Sequence, residues 1–485
     1  MRSDLRFLLD GELVTLTNVQ PTRTVLEYLR EDLQLTGSKE GCAEGDCGAC
    51  MVVLADLHEG ALRYRAINSC IQFLATLDGK ALITVESLSR GGTLHPAQRA
   101  MIDCHGSQCG FCTPGFVMTM FALHESNSSA PSSTEIDDAL SGNLCRCTGY
   151  RPIVDATRSM FDAQTDWTAP WGDAETLRQQ LESLADGKSL TTGINSRSIV
   201  APRSADDLAQ LYADNPAATL VAGGTDVGLW VTKQYRDLPM LISIGDVPEL
   251  RELRVDRTHI VAGAAVTFSE LLPVLVQHYP EMESLLRRWA SPPIRNAATI
   301  GGNIANGSPI GDSMPPLMAL GTTVVLRQGD AQRELSLESL YHDYMVNDLR
   351  DGEFVANVRI PLREEDQHIA AYKISKRFDQ DISAVCVGVS CLVRDGLLTD
   401  VRIALGGMAG IVKRASASEA ALEGKTPDAD RFEQAAVALS EDFTPLTDMR
   451  ASADYRLRVA ANLIRRFGKS LDETQEPLEV YDYGR

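Results

Sequence analysis

The chain has 485 residues, a net charge of -20, 44% hydrophobic residues and 23% charged ones. That length exceeds one ordinary core and predicts three or four domains of soluble, globular composition. The acidity excludes a nucleic-acid backbone or an anionic membrane surface as partner, and no run approaches the roughly 20 apolar residues of a spanning helix.

The N-terminus, MRSDLRFLLDGELVTL, carries charges at Asp4, Arg6, Asp10 and Glu12, which break any signal-peptide core, so a cytoplasmic location is expected. In that compartment eleven cysteines read as metal ligands or redox groups and not as disulfides. Residues 5–9, the pair Asp10-Gly11 and residues 12–16 predict a β-hairpin, and residues 24–33 a helix. Next comes GCAEGDCGAC, which places Cys42, Cys47 and Cys50 in a C-x4-C-x2-C loop, with Cys70 further on. This is the plant-type ferredoxin spacing for a [2Fe–2S] cluster. Four thiolates around two ferric irons need a tightly wrapped loop, and Gly41, Gly45 and Gly48 alternate with the ligands to allow it. The apolar run 51–54 predicts a strand, completing a β-grasp layout. The competing reading is a structural zinc site. It fits less well, because zinc prefers two short knuckles and here three cysteines crowd one loop.

A second quartet follows: Cys109-x2-Cys112, then Cys145-x-Cys147. Thr113 is placed to cap a helix that opens with Pro114, and Pro152 repeats the device after Cys147. Both pairs are thus expected at helix N-termini, whose partial positive charge suits anionic thiolates. Cys104 matches neither quartet and reads as a packing thiol. Cys386 and Cys391, in one apolar strand, fall on opposite faces and read as core.

The words HGSQCGFCTPGF and SGNLCRCTGYRP, downstream of a plant-type motif, resemble the second [2Fe–2S] site of the molybdenum hydroxylases. That family includes xanthine dehydrogenases, aldehyde oxidases and carbon monoxide dehydrogenase iron–sulfur subunits. The resemblance implies that Gln108, just before Cys109, touches a molybdopterin.

Residues 163–196 read as a linker with one short helix near 175–184, and from 197 onward strands and helices alternate. No dinucleotide fingerprint or P-loop is present. Two glycine turns stand in their place: Gly223-Gly224-Thr225-Asp226 and Thr299-Ile300-Gly301-Gly302-Asn303. Adjacent glycines let backbone N–H groups approach phosphate oxygens, although plain strand turns look the same. Here AGGTD and NAATIGGNIANGSPIGD resemble the flavin-binding words of the same family, whose FAD domain is vanillyl-alcohol-oxidase-like. The resemblance implies that Val221, Ala222, Gly223, Gly224, Thr225, Asp226 and Val227 hold the FAD phosphates together with Thr299, Gly302 and Asn303. It also implies Asp312 at a ribose or phosphate-proximal group, Lys373 near the flavin, and Trp289 against the isoalloxazine. From residue 368 on, three antiparallel strands and three helices are expected.

The expected fold is therefore multidomain α+β, with boundaries at 1–84 (ferredoxin-like), 85–162 (helical cluster domain), 163–196 (linker), 197–365 (FAD) and 366–485 (C-terminal α+β). The resemblance, closest to the small subunit of bacterial xanthine dehydrogenase, implies an electron relay with no catalytic residue of its own. Electrons from a partner molybdenum-binding large subunit would pass through two [2Fe–2S] clusters to FAD and then to NAD, in a dimer of heterodimers oxidising hypoxanthine or xanthine to urate. A sister hydroxylase acting on aldehydes, nicotinate or hydroxybenzoyl-CoA, a self-sufficient flavin reductase and a zinc-stapled scaffold are the alternatives. The choice between NAD and oxygen is expected near Asp379 and Asp381.

Overall fold

Asp10 and Gly11 both take positive φ, 51° and 90°, as a type I′ turn requires, and close β1 (Leu5–Leu9) on β2 (Glu12–Leu16). In the computed structural model, which describes residues 2–163 and 165–471, this hairpin joins β3 (Met51–His58), β4 (Ala61–Asn68) and β5 (Ala81–Ile83). The sheet order is β2-β1-β5-β3-β4, with β1 and β5 parallel. One face of β3 sends Val52 and Leu54 into a core with Phe7, Val25 and Leu29. Its other face sends Met51, Val53 and Ala55 against Phe116, Met120 and Phe121. Burial on both faces explains the unbroken apolar run.

Thr24 and Glu27 form a capping box on α1 (Val25–Glu27), but the expected helix over 24–33 does not stay regular. It widens into a π-turn over Tyr28–Asp32, where Leu33 N–H reaches Tyr28 O. Four helices follow: α2 (Pro96–Asp103), α3 (Thr113–Glu125), α4 (Ser133–Leu140) and α5 (Arg151–Ser159). After α6 (Ala174–Leu184) comes a mostly parallel sheet ordered β6-β7-β9-β8, made of β6 (Leu190–Ile194), β7 (Arg197–Ala201), β8 (Thr219–Val221) and β9 (Met240–Ser243). The stretch 163–196 is thus partly sheet, since β6 pairs antiparallel with β7. Around it lie α7 (Ala205–Asp214) and α8 (Val227–Thr232).

These elements belong to a first unit running to Arg251 and including Thr267–Ser269 and Ser291–Thr299. The second unit comprises Glu252–Val266, Glu270–Ala290 and the residues from Ile300 onward. The helices that follow α8 are α9 (Phe268–His278), α10 (Glu283–Arg287), α11 (Pro292–Arg295), α12 (Ile300–Asn306) and α13 (Met314–Ala319). In the second unit an antiparallel sheet runs β10-β11-β16-β12-β13, from β10 (Leu253–Val255), β11 (His259–Gly263), β12 (Thr323–Gln328), β13 (Ala331–Ser336) and β16 (Phe354–Pro361). A short ribbon pairs β14 (Tyr341–Asp343) with β15 (Val346–Asn347). The C-terminal sheet is β17 (Gln367–Ile374), β18 (Val385–Arg394), β19 (Leu397–Gly406) and β20 (Lys413–Arg414). It packs through Val387, Val389, Ile403 and Leu405 against α14 (Ser416–Leu422), α15 (Ala429–Asp442) and α16 (Ala453–Ser470).

Candidate functional site

The loop before β3 gathers the first quartet. Cys42 and Cys47 are half-buried, whereas Cys50 and Cys70 are buried. Cys42 faces the sulfurs of Cys47 and Cys70, and Cys50 faces Cys70. Thiol hydrogen bonds from those neighbours hold Cys42 and Cys50 below the ordinary thiol range and push Cys47 and Cys70 above it. Cys47 N–H donates to Cys42 Sγ at 3.4 Å, and Asn68 Nδ2 to Cys50 Sγ at 3.8 Å. Such a set of mutually facing sulfurs with N–H donors fits a thiolate-bound iron–sulfur cluster. The glycines differ in purpose. Gly45 and Gly48 take φ of 85° and 69°, but Gly41 supplies room: a Cβ there would stand 2.8 Å from Cys47 Sγ.

The second quartet is more open. Cys109 and Cys147 are exposed, Cys112 is half-buried and Cys145 buried. Cys109 meets Cys147, and Cys112 meets Cys145. Burial and the Cys145 sulfur push Cys112 up to about 12. Thr148 Oγ1 lies 3.1 Å from Cys145 Sγ, and Cys145 N–H donates to Tyr150 Oη at 3.0 Å. Thr113 is not the expected cap. It is the first helical residue of α3, and Cys112 holds the cap position; the Thr113 hydroxyl donates instead to Ser107 Oγ at 2.7 Å. Pro114 and Pro152 do sit in the first turns of α3 and α5. Gln108 is exposed beside Cys109. Cys104 stays outside the quartet, its sulfur 3.5 Å from Ser159 Oγ.

Both quartets touch what lies next to them. Leu144 N–H, beside Cys145, donates to Cys47 O at 3.0 Å. On the other side, Ile71, which follows Cys70, meets the first glycine turn. A Cβ on Gly224 would lie 3.1 Å from Ile71 O, and one on Gly228 2.6 Å. Thr232 Oγ1 donates to Ala43 O at 2.7 Å, fixing α8 to the Cys42 loop.

Within that turn Gly224 takes φ of 73°, and Gly223 leaves no space for a side chain because Ala297 O occupies it. Thr299 is buried and bridges to Thr267 in the same unit. The second unit holds the remaining flavin candidates. Gly302 and Asn303 lie in α12, and Asn303 Oδ1 accepts from Ser313 Oγ. Asp312 and Lys373, both buried, pair at 2.8 Å, while Lys373 Nζ also donates to Arg288 O at 3.0 Å. Asp312 Oδ1 is buried without a hydrogen-bond partner among the described residues. An orphaned acceptor of this kind fits a ribose hydroxyl. Trp289 is buried next to Arg288, just past α10. Cys386 and Cys391 part as expected: Cys386 Sγ donates to Asp312 O at 3.6 Å, whereas Cys391 joins the core under α14–α16.

The sequence did not single out His95, His124 and Glu125, whose ligand atoms lie within 4.8 Å of one another. His95 Nδ1 accepts Ala97 N–H at 3.1 Å as the cap of α2, so Nε2 carries the proton and faces Glu125 Oε1 at 3.5 Å. A protonated nitrogen is a donor and not a ligand, and His95 Nε2 makes no hydrogen bond among the described residues, whereas His124 Nδ1 pairs with Glu125 Oε1 at 3.1 Å; the trio therefore reads as a packed polar group and not as a metal site.

Four domain models match in sequence. They are a 2Fe-2S iron-sulfur cluster binding domain (residues 7–73), a [2Fe-2S] binding domain (84–158), an FAD binding domain in molybdopterin dehydrogenase (194–363) and a CO dehydrogenase flavoprotein C-terminal domain (370–471). Xanthine dehydrogenase of Drosophila pseudoobscura pseudoobscura is 34% identical over 467 residues, covering 84% of this chain and 34% of that protein. The Emericella nidulans enzyme is 31% identical, covering 96% and 38%. The chain thus spans about a third of the length of the curated relatives it matches. Among solved structures, carbon monoxide dehydrogenase of Hydrogenophaga pseudoflava aligns with a TM-score of 0.52 at 28% identity, over 55% of this chain and 93% of that one. Quinoline 2-oxidoreductase of Pseudomonas putida 86 gives 0.51 at 25% identity, over 56% and 94%. These matches fit the molybdenum hydroxylase family, and the chain carries two [2Fe–2S] domains and an FAD-binding domain. No helix among the described residues is long and apolar enough to cross a membrane.

Proposed function

We propose that this chain is the electron-relay part of a xanthine-dehydrogenase-type molybdenum hydroxylase. In this reading Cys42, Cys47, Cys50 and Cys70 hold one [2Fe–2S] cluster, and Cys109, Cys112, Cys145 and Cys147 hold the other. FAD is bound by residues 221–227 with Thr299, Gly302, Asn303, Asp312, Lys373 and Trp289. Molybdenum and its molybdopterin belong to a large partner subunit that meets Gln108, in a cytoplasmic dimer of heterodimers of the bacterial type. NAD is the acceptor, and hypoxanthine or xanthine is oxidised to urate.

One observation carries the reading: the Cys47 loop touches Leu144 of the second quartet's loop, and Ile71 touches the first glycine turn. That arrangement supports a path running from the exposed quartet, through the buried one, towards the flavin. When bound, the clusters supply single-electron transfer and the flavin joins two such transfers to one hydride. The protein's own residues do the holding. N–H groups of Cys47 and Asn68 offer hydrogen bonds to sulfur, and Asp312 Oδ1 offers an acceptor to a hydroxyl. The relatives' identity of 31–34% favours purine oxidation over a sister activity.

The test is a visible spectrum of the purified chain with iron, sulfide and flavin analysis. About four irons and four sulfides per chain, with flavin released on denaturation, is the expected result. A colourless protein containing zinc would overturn it.

A further inference from the structure

Asn143 sits between the two cysteine quartets, and nothing above gives it a role. It is 2% exposed, and both ends of its amide are used. Its Nδ2 donates to Gly48 O at 3.3 Å, and its Oδ1 accepts from Thr119 Oγ1 at 2.8 Å. Gly48 follows Cys47, whereas Thr119 lies on α3, which begins directly after Cys112. The same α3 face carries Gly115, four residues earlier, where a Cβ would run into Gly48 O. Gly48 in turn has no room for a Cβ against Gly142 O and Asn143. Two glycines therefore let the loops close, and one amide locks them.

That closure sets a single hydrogen bond, Leu144 N–H to Cys47 O at 3.0 Å. Cys47 belongs to one quartet, and Leu144 is bonded to Cys145 of the other. A bonded route between the two sulfur sets runs through that hydrogen bond, from Cys47 through its carbonyl to the Leu144 N–H and on to Cys145.

We propose that Asn143 is a positioning residue that holds Cys47 O against Leu144 N–H as the crossing point for electrons between the two cluster sites. The inference rests on the relay reading above. In each crossing the site at Cys109, Cys112, Cys145 and Cys147 is oxidised by one electron, and the site at Cys42, Cys47, Cys50 and Cys70 is reduced by one. No bond or proton is exchanged. Gly48 O can only accept, which turns Nδ2 towards it; the Thr119 hydroxyl then donates to Oδ1 and holds the amide in that setting, so Thr119 acts through Asn143.

The experiment uses the full, iron-loaded chain and compares Asn143→Ala, Thr119→Val and Thr119→Ser. Iron and sulfide content, the magnetic splitting between the two reduced centres and the rate of electron exchange between them are measured. The first two variants should keep their iron while losing the splitting. Their exchange should be measurably slower than that of the wild type. Thr119→Ser keeps the hydroxyl and should match the wild type. Should Asn143→Ala fail to assemble, Thr119→Val against Thr119→Ser gives the same reading. Iron-replete variants with unchanged splitting and exchange would overturn the role of Asn143 alone. A wild-type chain that binds no iron would remove the relay reading as well.

Discussion

Lys373 and Asp312 face each other at 2.8 Å across the second unit, each less than a tenth exposed, and only one of the two Asp312 oxygens is taken. Removing one member of such a pair leaves the other as an uncompensated buried charge, at a cost of about 3–5 kcal/mol. Lys373→Met should therefore lower the melting temperature and the flavin content together. Adding Asp312→Leu to it should restore much of the stability without restoring flavin, because the orphaned acceptor is removed too. Flavin-to-protein ratios and thermal melts of the two variants separate these effects. A double variant that regains full flavin would refute the ribose assignment.

Gly223 is constrained from outside its own turn. A methyl group there would overlap Ala297 O, so Gly223→Ala must displace backbone and not a flexible side chain. Overpacking of this kind typically costs about 1–3 kcal/mol. The variant should fold less stably and bind FAD more weakly, while cluster iron stays at the wild-type level. Equilibrium dialysis with FAD, alongside iron analysis, checks both halves.

This case also shows what the sequence carried. The grouping of the cysteines into two quartets was legible because residue type and spacing are written in the sequence, and the structure brings sulfurs of each group together. The hairpin at Asp10-Gly11 was legible because its turn demands those residues. Contacts made by backbone atoms leave no such mark. Ala297 O against Gly223 and Gly48 O against Asn143 depend on how distant segments approach. Likewise the π-turn at Tyr28–Asp32 looks like ordinary helix in its letters, and β6, with Thr191, Thr192 and Gly193, looks like linker until β7 pairs with it.

His95 gives a pH-dependent term. Burial holds it below its ordinary value of 6.5, partly offset by Glu125 and reinforced by His124, with the rings of Phe121 and Trp167 packed around it. Its neutral Nδ1 caps α2. The folded state thus binds its proton later than the unfolded state, so stability is full above about 6.5 and declines as the pH falls below that. Glu125, held at about 2 by His124 and His95 against its own burial, contributes its change only at far lower pH. Asn also caps helices well, so His95→Asn should keep the helix and flatten the decline between pH 6.5 and 5. Urea titrations at those pH values decide it: parallel slopes in both proteins would count against the His95 term.

Arg288 holds the loop that follows β17. Its guanidinium donates to Lys373 O at 3.2 Å, Phe378 O at 3.2 Å and Ser375 Oγ at 3.0 Å, and it lies 4.8 Å from the Phe378 ring centre. A planar fork makes all four contacts at once, which an ammonium cannot. Arg288→Lys should therefore behave almost like Arg288→Ala. Both should speed amide hydrogen exchange across 375–381 with little change in the C-terminal sheet. Protection in Arg288→Lys equal to the wild type would show that charge alone suffices.

Cys47 offers the sharpest check on the first quartet. Its thiol shares hydrogen bonding with Cys42 and stands beside Gly41, so Ser fits the space but is a far poorer ligand for iron. Cys47→Ser should lower the iron from about four to about two per chain and leave the other cluster's spectrum in place. Given a molybdenum partner, substrate should still reduce that partner, while reduction of NAD should fail. The same substitution at Cys104, which lies outside both quartets, should leave iron unchanged. A Cys47→Ser chain that keeps all its iron and still passes electrons to NAD would show that the buried quartet is not on the path.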